Sequence, residues 1–276
     1  MNIGVRAHDF PRQSPESLAA QIKSAGFSTV QLAPFKALDI PEDQILQNDT
    51  IDRIRKAFEG AGLSISVLGC YVEPGAKDDD LWQSSLERFC KHLQIAKRIG
   101  AACVATETTR FSGTEAEREE AYARVLRFVR EMAQEAEHAD THIAIEPVLV
   151  HTINTPELAQ RLLHEVNSPR VGIIFDPVNL LSPTTVENQE ALWQRCIDCF
   201  GDRVLAMHLK NGRWDGEDYI PLPLSEGVMR AESIFRWIRE EKPGLPLLRE
   251  EEKLTYMQRD IAFIRAEYEK AVRPHP

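Results

Sequence analysis

The chain has 276 residues, 43% hydrophobic and 28% charged, with 33 Lys and Arg against 43 Asp and Glu for a formal net charge of −10. It lacks the ~18 consecutive apolar residues of a membrane-spanning helix, and so acidic a chain is ill matched to nucleic acid, whose non-specific affinity comes from Lys and Arg. Its length suits one α/β barrel of about 250 residues, so a single domain over 1–276 is expected where average domain size would suggest two.

Met1 leads directly into an apolar run at 2–5, which reads as a strand, without the basic leader, apolar core and cleavage site of a secretory signal. The cysteines (Cys70, Cys90, Cys103, Cys196 and Cys199) are odd in number in a long chain. Together these features predict a cytoplasmic protein with reduced thiols. Ser14-Pro15-Glu16 then supplies a helix cap, a proline at the first helical position and an acid facing the helix dipole, followed by an apolar stripe through Leu18, Ile22 and Phe27. Ser17 stands where a capping box would need an acid or amide.

Next come a strand at 29–32, a helix at 51–61 with Ile51, Ile54, Ala57 and Phe58 on one face, a strand at 64–69, a helix at 81–99 with Leu86, Phe89, Leu93 and Ala96, and a strand at 102–106. The first three helices end alike, with Gly26, Gly62 and Gly100 at the left-handed stop position. Further helices are predicted at 115–137, 155–166 (entered through Thr155-Pro156-Glu157), 185–200, 232–241 and 254–272. The histidines His92, His138 and His164 fall within helices and read as surface residues. Cys196 and Cys199 have C-x-x-C spacing inside a helical run, with no second pair nearby, and read as packing.

Between the later helices lie apolar runs at 142–145, 171–175, 204–207 and 246–249. Strand and helix thus alternate in eight units of about 35 residues, which implies a parallel sheet, and in this length a closed (β/α)8 TIM barrel. No glycine-rich dinucleotide or phosphate loop follows any strand.

In such a barrel the active site is built at the carboxyl ends of the strands. Four titratable residues sit just past the last four apolar runs: Glu146, Asp176, His208 and Glu250. A charge at the end of a buried strand is costly unless it meets a partner, and together these make a three-oxygen, one-nitrogen cage for a divalent metal. Such a hard site suits Mn²⁺, Mg²⁺ or Co²⁺, with Zn²⁺ as the alternative. Each residue also has a bland reading. Glu146 is a loop charge, Asp176 a turn residue before Pro177, His208 a satisfied interior histidine, and Glu250 part of the solvated run Glu250-Glu251-Glu252. If the last strand continues, alternation favours Glu250 or Glu252 over Glu251. Alternation also places Lys210 on the face of His208, while Arg6, His8, Glu107, His151 and Asn179 fall at strand ends or in the loops after them.

The stretches Leu68-Gly69-Cys70-Tyr71, Thr106-Glu107-Thr108, Ile145-Glu146-Pro147-Val148, Phe175-Asp176-Pro177-Val178-Asn179, Met207-His208-Leu209-Lys210 and Leu247-Leu248-Arg249-Glu250-Glu251 together resemble the sugar phosphate isomerase/epimerase family of xylose isomerase-like barrels. The resemblance runs in order over nearly the whole chain and implies one divalent metal on Glu146, Asp176, His208 and Glu250. Departures from the family pattern are the triple acid at 250–252, Asn211 where relatives often have Asp, and Glu73 where they often have Asn; the last two bear on substrate choice. Relatives are often dimers or tetramers, which leaves a homo-oligomer open.

The metal would chelate the carbonyl and adjacent hydroxyl of a keto-sugar or keto-polyol and stabilise the enediolate formed on loss of the α-proton. Glu146 and Glu250 would exchange protons with the substrate, Lys210 would stabilise the oxyanion, and Arg6, His8, Glu107, His151 and Asn179 would contact substrate. The expected activity is sugar isomerisation or epimerisation. The alternative is dehydration, as in inosose or dehydroshikimate dehydratases. An endonuclease IV-like phosphodiesterase would need more histidine and carboxylate ligands and a basic groove, and a sugar-binding barrel without catalysis is the remaining reading.

Overall fold

A computed structural model describes residues 1–271 apart from Glu252 and Leu254. The short apolar runs form eight parallel strands: β1 (Asn2–Arg6), β2 (Thr29–Leu32), β3 (Ser64–Gly69), β4 (Ala101–Glu107), β5 (Ile143–Glu146), β6 (Val171–Phe175), β7 (Val204–Leu209) and β8 (Pro246–Arg249). Each pairs with its neighbours, and β8 closes on β1 with Asn2 opposite Pro246 and Val5 opposite Arg249, so no sheet edge is left open. A helix follows each strand: Pro15–Ser24, Asn48–Gly60, Asp79–Ile99, Glu115–His138, Pro156–Val166, Gln189–Phe200, Glu232–Glu241 and Met257–Lys270. The expected (β/α)8 barrel is therefore the observed one. Among the described residues no helix is long and apolar enough to cross a membrane.

Strand alternation divides the apolar side chains into two sets. Val67, Cys103, Ala105, Ala144, Ile174, Ala206 and Leu248 form a cluster of their own inside the barrel, and the other set packs under the helices. Gly4 belongs to the crowded interior, because a β-carbon there would lie 2.5 Å from Thr29 and 2.7 Å from Leu248. Continuing the interior parity by two residues from Ala105, Ala144, Ile174, Ala206 and Leu248 arrives at Glu107, Glu146, Asp176, His208 and Glu250. One pleat of the barrel thus sets the direction of all five.

Local signals account for most helix ends. The Ser14 hydroxyl accepts from the Ser17 amide, as a cap should, and Gly26, Gly62 and Gly100 adopt φ of 97°, 68° and 82°. The first helix stops at Ser24, so Phe27 packs from the loop beyond it. Thr114 and Glu117 make a full capping box on the fourth helix. The last helix is described from Met257 to Lys270; residues 254 and 272, its expected ends, lie outside the described residues. Cys196 is buried, and both it and Cys199 are free thiols.

Two features depart from the sequence reading. His92 is not a surface residue: it is 1% exposed, its Nδ1 lies 2.7 Å from the Arg88 carbonyl, and its ring packs 5.9 Å from that of Phe35. It flanks the Leu86–Phe89–Leu93 stripe, where the loop after β2 and not helical periodicity decides burial; His138 and His164 are exposed as expected. The second is a β-hairpin after β7, in which Asn211–Asp215 pairs antiparallel with Asp218–Leu222 around a turn led by Gly216 (φ 63°).

Asn211 anchors this hairpin. Its amide donates to the Leu224 carbonyl (2.8 Å) and its side-chain oxygen accepts from the Gly212 and Met229 amides (2.9 Å each). An aspartate could not make the donor bond, so this departure from the family pattern holds the loop that follows β7. Glu73 is exposed, and its amide donates to Ser85. Beneath the hairpin, Arg249 and Asp260 form an ion pair (2.7 Å), each 1% exposed; Asp260 also accepts from the Leu224 amide (2.8 Å) and Arg249 donates to the Leu209 carbonyl (3.2 Å). The pair joins β7, β8, the end of the hairpin and the last helix.

Removing one member of a buried pair leaves the other charge uncompensated, so Asp260→Ala is expected to cost about 3–5 kcal/mol in urea unfolding. Burial lowers the His92 pKa to about 4, below the ~6.5 of an unfolded histidine. Between those values the unfolded chain binds the extra proton. The residue's contribution is therefore whole above pH 6.5 and shrinks by about 3 kcal/mol as the pH falls towards 4. His92→Phe should flatten that part of the stability profile measured by urea unfolding at each pH.

Candidate metal centre

Each member of the cage is set by a local feature. Glu146 is the last residue of β5 and precedes Pro147, which cannot extend the ladder. Asp176 follows β6, and its Oδ1 accepts from the amides of Val178 (2.8 Å) and Asn179 (3.1 Å) in the turn through Pro177. The turn reading of Asp176 is met by Oδ1, and the same geometry leaves Oδ2 available as a candidate ligand atom. His208 lies within β7, two residues on from the interior Ala206. Glu250 follows β8, and Glu251 takes φ of 55°, which ends the strand there. Glu252, the other residue that alternation would favour, lies outside the described residues.

Glu146, Asp176, His208 and Glu250 are all buried, and each offers a ligand atom within 4.8 Å of the others. His208 Nδ1 lies 3.3 Å from Glu146 Oε2 and 3.2 Å from Glu250 Oε2. Three of the buried atoms, His208 Nδ1, Asp176 Oδ2 and Glu250 Oε2, have no hydrogen bond. Orphaned buried acceptors are costly, and a divalent cation coordinated by them would remove that cost. The donor set, three carboxylates and an imidazole, fits such an ion.

The far side of each ligand is held by the chain. Asn179 donates to Glu146 Oε1 (2.6 Å) and accepts from Lys210 Nζ (2.6 Å). Arg6 donates to Glu250 Oε1 (2.6 Å) and pairs with Asp9 (2.7 Å). Lys210 Nζ lies 3.2 Å from Asp176 Oδ2 and 3.7 Å from Glu250 Oε1. His208 Nε2 lies 2.5 Å from Gln31 Oε1, an acceptor that holds a proton on Nε2 and turns Nδ1 towards the acids. Gln31 in turn donates to Tyr71 (3.2 Å), whose hydroxyl is 3.3 Å from His8 Nε2. No sequence motif marks Gln31. Only its place near the end of β2, on the interior face with Thr29, could have pointed to it.

Electrostatics follow from burial and crowding. Burial pushes the Asp176 carboxyl up to about 7 against the pull of Lys210. Burial would also raise Glu250, but Lys210, His208 and Arg6 outweigh it and hold that carboxyl well below its usual range. His208 goes the other way: burial opposes its charge, yet Glu146 and Glu250 raise it well above 6.5. The cluster demands positive charge among its members, which a proton or a cation can supply. Burial, with Arg6 and Lys36 nearby, keeps His8 neutral at about 3. Glu107, opposite Glu146 in the ladder and 3.6 Å from His151, is pushed up to about 7 by burial, Glu146 and Glu250. Arg6, Asn179 and Lys210 thus touch the cage itself, while His8 reaches it through Tyr71 and Gln31, and His151 lies against Glu107.

Fold and site together define a (β/α)8 barrel with a candidate divalent-metal centre at the carboxyl mouth. The sequence pattern of the xylose isomerase-like TIM barrel family matches residues 19–267, and the chain belongs to that family. No curated protein sequence is similar enough to count as a relative. Among solved structures, L-ribulose 3-epimerase superposes with a TM-score of 0.78 at 16% identity, covering 99% of this chain and 96% of that one. A xylose isomerase-like TIM barrel protein from Mycobacterium smegmatis in complex with magnesium gives 0.71 at 18% identity, over 99% and 98%. The probable 3-DHS dehydratase AsbF from Bacillus anthracis gives 0.69 at 16% identity, over the whole of both chains. At such identities the likeness establishes the fold.

Loss of the partner that orients a metal-binding histidine typically costs 10–100-fold in affinity. Gln31→Leu, which leaves all four ligands in place, should weaken Mn²⁺ binding by about that factor in calorimetric titration, with a stoichiometry still near one.

Proposed function

We propose that the protein is a divalent-metal-dependent isomerase or epimerase of a keto-sugar or keto-polyol. The observation that carries this reading is the buried cage whose orphaned atoms face one another while every outer atom is held by another side chain or backbone amide. Sites held this firmly suit chemistry in which charge must be stabilised without reorganisation. A cation bound there would polarise the carbonyl and neighbouring hydroxyl of such a substrate and acidify the proton on the carbon between them.

The chain's own groups then divide the work. β5 and β8 lie on either side of the β6–β7 pair, so Glu146 and Glu250 enter the mouth from opposite flanks of Asp176 and His208. One carboxylate takes the proton, and the other, once protonated from solvent, delivers one. Delivery to the opposite face inverts the centre; delivery to the neighbouring carbon, with the hydroxyl proton passing to the former carbonyl oxygen, moves the carbonyl. Lys210, within 3.7 Å of both Asp176 and Glu250, lies beside the negative charge that develops on the substrate oxygens. Arg6 and Asn179 hold the two carboxylates in place, and His8, Glu107 and His151 are the proposed substrate contacts.

Dehydration is the second reading. It shares the first proton transfer and then needs a donor for the departing hydroxyl. Glu107, whose carboxyl is pushed up towards about 7 by burial, Glu146 and Glu250, is the candidate donor. The fold likeness to the probable 3-DHS dehydratase is compatible with that route. A nuclease with several metal ions is less well supported, because the four-residue cage is the one candidate metal group found among the described residues.

Glu146→Gln keeps a ligand oxygen but removes the base, and general-base loss typically costs 10²–10⁴-fold. Exchange of the α-proton of ketohexoses in D₂O, followed by NMR on Mn²⁺-loaded protein, should fall by about that factor. An unchanged exchange rate would remove Glu146 from the role. Spectra of the products separate an inverted or isomerised sugar from an unsaturated, dehydrated one.

A further inference from the structure

A cavity of about 620 Å³ opens beside the metal centre, between the loops after β5 and β6 and the hairpin after β7. It begins where the cage ends, at Asn179 and Lys210, and runs outward between Leu149 and Val150 on one side and Trp214 and Tyr219 on the other. Pockets of this size hold ligands much larger than one sugar ring. Most of its surface is apolar, and Leu149 and Val150 are two of the few large hydrophobic residues left exposed among those described. The Trp214 and Tyr219 rings sit 5.4 Å apart at 63°, and the Tyr219 hydroxyl is buried without a hydrogen bond.

The charge of the walls is equally informative. Among the described residues that line the cavity, Lys210 is the one cation, and it already lies against Asp176, Asn179 and Glu250. The lining also includes Glu217 and Glu251. A phosphate there would meet acids and no free donor cluster.

We infer that the substrate reaching the metal centre carries a second, uncharged and largely apolar or planar portion, so that it is a keto-sugar glycoside and not a free monosaccharide or a sugar phosphate. The sugar ring bearing the carbonyl lies at the cage, and the group on the far side of the glycosidic bond lies along Leu149 and Val150 against Trp214. The inference rests on the reading of the cage as a keto-sugar site.

Three matched probes test it: 3-keto-D-glucose, its 6-phosphate, and phenyl 3-keto-β-D-glucopyranoside, all titrated calorimetrically into Mn²⁺-loaded protein. A stacked aromatic contact corresponds to about tenfold in affinity. The phenyl glycoside should bind at least that much more tightly than the free sugar, the phosphate should gain nothing, and Trp214→Ala should erase most of the gain. Equal affinities, a preference for the phosphate, or a glycoside preference untouched by Trp214→Ala would overturn the inference. Solvent deuterium exchange in the same samples keeps the two readings apart. Exchange without glycoside preference removes only the cavity's assignment. Preference without exchange of any probe retains the cavity and removes the isomerase or epimerase reading.

Discussion

The mouth of the barrel is governed by crowding of like charge in a dry place. Glu146, Asp176 and Glu250 are buried within a few ångströms of one another around His208, a cluster that cannot stay ionised without added positive charge. Lys210 and Arg6 supply part of it at the edge, from the side of Asp176 and Glu250. What they leave uncompensated lies at the centre, where the orphaned atoms meet. The arrangement of the surrounding loops follows from this. The turn after β6 uses one oxygen of Asp176 and spares the other, Asn179 links Glu146 to Lys210, and Gln31 fixes the face of His208.

The outline of this arrangement can be read in the amino-acid sequence, and its outer half cannot. Period-two alternation inside a buried strand is a local property, so the direction of Glu146, Asp176, His208 and Glu250 follows from the apolar runs that precede them. The glycine stops and the Ser14 and Thr155 caps are local in the same sense, and the helices they bound appear where expected. The supports of the ligands are different. His208 and Gln31 are 177 residues apart, and Arg6 and Glu250 are 244 apart. Only closure of the barrel makes them neighbours, and no periodicity encodes which residue will stand opposite another. Arg249 shows the same limit. Its neighbours mark it as a strand residue, but nothing near it in sequence indicates a partner on the last helix.

The hairpin after β7 is a third kind of case. Asp215-Gly216 beside Trp214 and Tyr219 carries a turn signal with strand-forming flanks, yet the regular strand–helix repeat of the chain conceals it. Its role becomes visible once Asn211 is seen to spend its whole side chain on the loop. The barrel supplies a rigid cage, and this insertion shapes what stands in front of it. On the proposed reading, chemistry and selectivity would be carried by separate parts of the chain, so one could change while the other is kept.

The contact between Arg6 and Glu250 lies on the seam where β8 meets β1. During synthesis the first strand emerges long before its closing partner, and three ligands exist before the fourth. Until residues 246–249 have left the ribosome, β1 and β7 present unpaired edges and the half-built cage stays open to water. A cation that needs all four residues would therefore bind only once β8 has closed the barrel on β1.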